Sequence, residues 1–338
     1  MNNAIKKKFT VSLVISILLV VIIFISAIFI GRFEISFNAF YNLFTGNTQD
    51  YLIEYNVITR LRLPRTFMAL FVGVALSLSG LVYQETFQNR LVSPDILGVS
   101  SGASVGVALG LLLSLPMMAT SFVGFLFGLI SMVATLFLAK VFKNKTATIL
   151  ILSGVIVSGF MTSILSIIKA AANSDTVLPA ITYWLLGSFD KTEMIDIYII
   201  GPIVIIGTIV LLIMRWQINV VALGEEEATT KGINYKRYRT VIIIIATLLT
   251  ATSVAFSGVI GWIGLVIPHI VRLVVGRNTK YTIPLAITYG AIFMMIADIL
   301  SRSIFQAEIP LSAITGIIGV PIFVLLFLFS KNEVNSRD

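Results

Sequence analysis

The sequence predicts an all-α polytopic membrane protein with ten transmembrane helices and both termini in the cytoplasm. Three observations predict it. Of 338 residues, 57% are hydrophobic and 12% charged, against about 25% charged in a soluble domain, and one soluble core could not absorb so many apolar side chains. Apolar windows of about 20 residues, the length that crosses a bilayer, recur ten times. Lys and Arg collect in alternate connections, as cytoplasmic loops do.

The windows fall at 9–31, 62–84, 95–115, 118–142, 146–168, 194–215, 239–256, 258–275, 281–303 and 309–330. The first follows Lys6, Lys7 and Lys8 and is too long for a signal-peptide core, so it reads as a retained span. Near Gly258 the apolar stretch is nearly continuous. One long helix there would leave nine spans and move the C-terminus outside. Charge arbitrates: with ten spans, 17 of the 24 basic residues lie inside. Arg32, Arg60, Arg62, Arg65, Lys169, Lys191 and Arg302 remain outside, a bias that supports the ten-span topology.

The whole chain reads as one membrane domain with a cytoplasmic loop at 216–238. Two outer connections are long enough for structure of their own. Residues 32–61 form a loop ending in LRLPR, and 169–193 hold a short amphipathic piece suited to a helix at the outer surface. Pro94 and Asp95 sit at the start of the third span, with Ser93 or Asp95 as cap. Through that span Gly98, Gly102, Gly106 and Gly110 recur every four residues, a spacing that lets a neighbouring helix approach closely. Helix packing explains it more simply than pore lining does.

Chemistry is sparse. There is no cysteine and one histidine, His269, so thiolate and histidine-cluster metal sites are excluded, and no metal ligand set is expected. No paired carboxylates occupy adjacent spans, which leaves no constellation for intramembrane catalysis. No phosphate-binding G-x-x-x-x-G-K-[ST] occurs, so ATP chemistry would have to come from a partner. Asp298 is the clearest intramembrane carboxylate, and such a group is a candidate for ion coupling. Its i, i+4 spacing to Arg302 makes a pairing role the simpler reading. A proton- or sodium-driven transporter, with ion sites near the midplane, is the main rival class. The outer arginines Arg62, Arg65 and Arg302 run against the charge bias. Snorkelling to lipid phosphates and an electropositive rim for a docking protein both account for them.

The interval 224–239, GEEEATTKGINYKRYR, is the most polar between two spans. Lys236, Arg237 and Arg239 fit a topology-fixing loop. Glu225 and Glu226 after Gly224, then Ala228 and Gly232, fit a helix of about two turns with acidic residues in its first turn and a glycine at its end. Such a helix is too short to stand alone in water, so packing must order it.

Several stretches together, RLPRTFMALFVGVALSLSGLVYQ, NRLVSPDILGVSSGAS, LGEEEATTKGI, GVIGWIGLVIPHIVRLVVG, ADILSR and EIPLSAITGIIGVPIF, resemble the FecCD-type permeases of ATP-binding-cassette importers. Those importers carry iron(III)-siderophores, haem or cobalamin. The resemblance covers about residues 55–330. It departs from the family at Arg90, where the pattern has proline. It implies the type II importer fold, with two permease subunits, identical or paralogous, around a central pathway. It also implies two cytoplasmic ATPases holding ATP and magnesium, an extracytoplasmic binding protein, no cofactor on this chain and no nucleic acid. Arg62, Arg65 and Arg302 match the family's docking arginines. Residues 224–232 match the loop that seats in the ATPase, and Lys143, Asn144, Lys145 and Thr146 match the cytoplasmic gate.

Overall fold

The structure is a computed structural model describing residues 3–36, 38, 41–42, 51–142 and 147–335. Among these residues there is no strand. Seven helices are long and apolar enough to cross a membrane and three more are shorter apolar helices, which together account for ten.

Helix α1 (Asn3–Phe29) runs along the side of the bundle, with 17% of its most apolar stretch buried against 83% for α2 (Leu52–Thr86). That contrast makes α2 the axis. From Phe67 to Val82 its residues are apolar or small on every side, as a helix surrounded by others requires. It begins ten residues earlier than the predicted span, because part of the expected outer loop continues into it through a π-helical turn at Val57–Arg62.

The third span is corrected at its start. Pro94–Leu97 form a 3₁₀ turn and Gly98 takes φ +74°, so α3 covers only Val99–Leu112. Gly98 is therefore a hinge before the helix, against Ser158, and not the first rung of its glycine ladder. Gly102, Gly106 and Gly110 do lie on α3 and face α4 (Met117–Val141), where a Cβ on Gly106 would stand 2.8 Å from Gly124 Cα.

Helix α5 (Ala147–Ala171) leads to the surface helix α6 (Val177–Leu185), which occupies the predicted amphipathic stretch. Helix α7 (Met194–Ile213) starts with a reciprocal capping box between Glu193 and Asp196. Two short helices, α8 (Arg215–Val221) and α9 (Glu225–Thr230), precede α10 (Tyr235–Ser257). The apolar run near Gly258 is broken: residues 258–262 are non-helical, and α11 (Ile263–Val275) follows. Helices α12 (Thr279–Ser303) and α13 (Leu311–Asn335) complete the chain.

The axis is locked to its neighbours by glycine contacts. A Cβ on Gly73 would meet Met294 Cβ at 2.7 Å and the Gly290 backbone, while one on Gly80 would collide with the Gly264 backbone. Ser77 Oγ donates to the Ala286 carbonyl at 2.7 Å, tying α2 to α12. Gly80→Val is expected to cost about 1–3 kcal/mol by overpacking, read as a lower thermal unfolding midpoint in detergent. Gly261→Ala, which meets nothing within 4 Å, should leave that midpoint unchanged.

Candidate functional site

Two polar regions interrupt the apolar bundle, one at each end of α2. At the outer end, Arg65 Nε lies 2.5 Å from Asp298 Oδ1 and Arg65 Nη1 lies 2.7 Å from Glu308 Oε1. Arg302 stands one helical turn from Asp298, as the spacing anticipates, and forms an ion pair at 3.2 Å. The remaining donors go to the end of α1. Arg62 Nη1 donates to the Ile28 and Phe29 carbonyls at 2.5 and 2.9 Å, Arg62 Nη2 donates to the Phe33 carbonyl, and Arg302 Nη2 donates to the Ala27 carbonyl at 2.5 Å. The last carbonyls of a helix have no partner within it and carry the negative end of its dipole. Two guanidinium groups from other helices supply what α1 lacks.

The arginines expected at an electropositive outer rim are thus engaged within this chain. Arg62, Arg65 and Arg302 are 5%, 8% and 6% exposed. The physical reason is what packs around them: the end of α1 takes the donors of Arg62 and Arg302, and Asp298 and Glu308 take those of Arg65. Three guanidinium groups against the carboxylates of Asp298 and Glu308 leave one excess positive charge. Among the described residues, Arg65 Nη2 is the fully buried arginine nitrogen of this cluster that has neither a hydrogen bond nor an ion pair. Glu308 is the accessible member, with its side chain 32% exposed.

At the inner end Arg272 Nη2 and Nε hold Glu85 Oε1 at 2.9 and 3.1 Å, and Arg272 Nη1 reaches Gln84 Oε1 at 2.6 Å. Gln84 in turn donates to the carbonyls of Val92 and Gly264 at 3.2 Å. This clamps α2, the turn that follows it, and α11. Arg90 lies exposed beside that clamp. Partial burial, and then the nearby Arg277 and Arg272 guanidinium groups, hold it below the usual arginine range. The residue at the family's proline position thus adds to a positive inner surface.

The same face carries α8 and α9. Gly224 has φ +109° and accepts no Cβ without meeting Gln88 Nε2 at 3.2 Å, while Gln88 donates to the Ala222 carbonyl at 3.1 Å. Helix α9 ends in a paired turn: Gly232 N–H donates to Thr229 O and Ile233 N–H to Ala228 O, both at 3.0 Å. This is the Schellman arrangement, which needs the left-handed conformation that Gly232 takes at φ +76°. Its apolar contact is present too, because Ala228 and Ile233 bury together with Val220 against Tyr235 and Tyr238. Ala228 is fully buried within its own chain. The short helix thus finds within this chain the packing that its length requires. Glu225, Glu226 and Glu227 remain exposed, Glu225 with an exposed ion pair to Lys236 at 3.2 Å, and the apolar side chains of Trp216 and Leu223 stand open nearby. The expected gate residues Lys143, Asn144, Lys145 and Thr146 lie outside the described residues.

Sequence reasoning missed Glu85, Gln84 and Arg272. Glu85 follows an apolar helix and could have been flagged as a charge at a span end, but its partner lies 187 residues away. Glu308 was likewise invisible, because it pairs across 243 residues.

An apolar bundle of ten helices with an ordered pair of short polar helices between two of them is the architecture of a multi-pass membrane protein. The chain belongs to the FecCD transport family, which it matches over residues 18–329. It is thus a type II ATP-binding-cassette importer permease in the cytoplasmic membrane, with ATP hydrolysis on a separate subunit. It is 37% identical over 286 residues to the molybdate import system permease protein of Haemophilus influenzae, covering 84% of each chain. It is 36% identical to the Fe(3+)-citrate import system permease protein of Bacillus subtilis, over 82% of this chain and 83% of that one. A solved metal-chelate type ABC transporter in an inward-facing conformation superposes with a TM-score of 0.85 at 34% identity, covering 94% of this chain and 98% of that one.

Two stability outcomes follow from the geometry. Asp298→Asn removes the carboxylate between two buried guanidinium groups and should cost about 3–5 kcal/mol, whereas Glu308→Gln, at the partly solvated edge, should cost about 1 kcal/mol or less. Thermal unfolding in detergent separates the two.

Proposed function

We propose that this chain moves an iron(III)-siderophore complex inward by alternating access, as one of two permease subunits seated on two ATPases. An extracytoplasmic binding protein delivers the complex. The observation that carries the reading is the exposed acidic and apolar surface of α8 and α9 on a scaffold set by Gly224, Ala228 and Gly232. ATP binding on the partners would push on this surface, and the hydrogen bond from Gln88 to the Ala222 carbonyl would pass the displacement to the inner end of α2. Such a cycle asks for no titratable group in the pathway.

The iron-chelate reading is supported by relatives named for iron chelatin in Helicobacter pylori, at 35% identity over 81% of the chain, and for Fe(3+)-citrate. The molybdate permease favours a second reading, a metal oxyanion, and haem or cobalamin would use the same mechanism. Uptake by the reconstituted assembly with its own binding protein, offered radiolabelled ferric siderophore, molybdate, haemin and cobalamin in competition, tests the assignment. Ferric siderophore is expected to be taken up and to resist competition by the other three. Transport of molybdate in its place would move the assignment to oxyanions.

The docking role of the outer arginines takes a narrower form. Arg65, whose Nη1 holds the accessible Glu308, exchanges that carboxylate for one of the binding protein. Arg62 and Arg302 hold the end of α1 under it. Glu308→Gln, which removes an internal competitor for Arg65, should tighten association of the binding protein several-fold; unchanged affinity would place docking elsewhere. Gly232→Val should strain α9 by about 1–2 kcal/mol and leave ATP hydrolysis running while transport falls. Wild-type transport in that variant would remove the coupling assignment.

A further inference from the structure

The side of the bundle carries an apolar cavity apart from both polar regions described above. It has a volume of about 810 Å³ and opens between α1 and the paired faces of α11 and α12. Val11 and Leu19 line it on one side and Ile270 and Phe293 on the other, and Lys7 and Lys8 stand at one end. Its few other polar groups are already engaged. Ser12 Oγ and Tyr289 Oη lie 2.7 Å apart, and Thr288 Oγ1 donates to Ser16 Oγ at 2.8 Å. The wall therefore offers an aliphatic chain nothing polar to avoid. Neither lysine has an ion pair among the described residues, and both are exposed.

The dimensions select one occupant. From Lys8 to Leu19 the helix rises about 16 Å at 1.5 Å per residue, close to the depth of one leaflet of a hydrocarbon core about 30 Å thick. The lysines fall at the level of the cytoplasmic headgroups, since the N-terminus lies inside. We propose that this groove is a binding site for an anionic phospholipid of the cytoplasmic leaflet. An acyl chain lies between α1 and the α11–α12 pair, and the phosphate is held by Lys7 and Lys8. The assignment is independent of which substrate is transported. Lysines near such a surface strengthen attraction to anionic lipid by roughly fivefold each, so the pair favours it by about 25-fold.

Native mass spectrometry of the assembled transporter, titrated with palmitoyl-oleoyl phosphatidylglycerol or the matching phosphatidylcholine, tests this. One phosphatidylglycerol per permease chain should bind at least tenfold more tightly than phosphatidylcholine. Lys7→Gln with Lys8→Gln should reduce that preference to about threefold or less, Lys140→Gln should leave it unchanged, and Ile270→Trp should weaken both lipids by filling the groove. Equal affinity for the two lipids in the unaltered protein overturns the proposal without recourse to any variant. So does a preference that survives loss of both lysines, or a photo-crosslinker at Val11 that captures a protein chain in place of lipid.

Discussion

Everything in this molecule is subordinate to the demand that backbone polar groups find partners where there is no water. Inside hydrocarbon the helix is the default answer, because each amide is satisfied within its own segment. The structure departs from that answer at few places, and each departure is repaired by neighbours. The carbonyls at the end of α1 accept from Arg62 and Arg302. The break at 258–262 lies against the turn after α6, where Ser188 N–H donates to the Ser257 carbonyl at 3.0 Å. The same turn presents the Gly187 and Leu186 carbonyls to the first amides of α13.

From this follows the odd placement of charge. Buried arginines in a membrane protein are costly unless their donors are used, and here most are used on backbone as well as on carboxylates. The outer cluster and the inner clamp on Glu85 bracket α2, which between them is apolar and closely packed. Glycine contacts at Gly73 and Gly80 bring α12 and α11 against it at backbone distance. The axis is thus fixed sideways by shape and at its ends by electrostatics. Just past that inner fastening Gln88 donates to the Ala222 carbonyl at the end of α8, so the polar surface facing the cytoplasm is joined to the packed centre through few side chains.

Fold class and span count were legible because they depend on local apolar length and on charge bias, both written residue by residue. The acid–glycine pattern of 224–232 was legible for the same reason, since caps and left-handed turns are local. What the sequence concealed is non-local. LRLPR reads as the end of a loop because Pro64 and two arginines interrupt the apolar run, yet a π-helical turn at Val57–Arg62 lies just before Pro64 and the helix runs through it. The burial of Arg65 depends on Asp298 and Glu308, more than 230 residues away. Gly98 fits a four-residue ladder in sequence while Pro94 four residues earlier starts a separate turn. Ala228 sits in the stretch that matches the ATPase-seating loop, and the tyrosines that cover it come from the start of the following helix.

The capping of α1 also has a consequence for biogenesis. Its Ile28 carbonyl is reached by Arg62, 34 residues later in the chain, but its Ala27 carbonyl waits for Arg302, 275 residues later. At about 5–20 residues per second, the ribosome needs roughly 14 to 55 seconds to supply that second arginine. During this interval α1 resides in the bilayer as a half-tethered helix, open to insertion factors and to lipid along most of its length. The bundle is sealed at its first helix almost last.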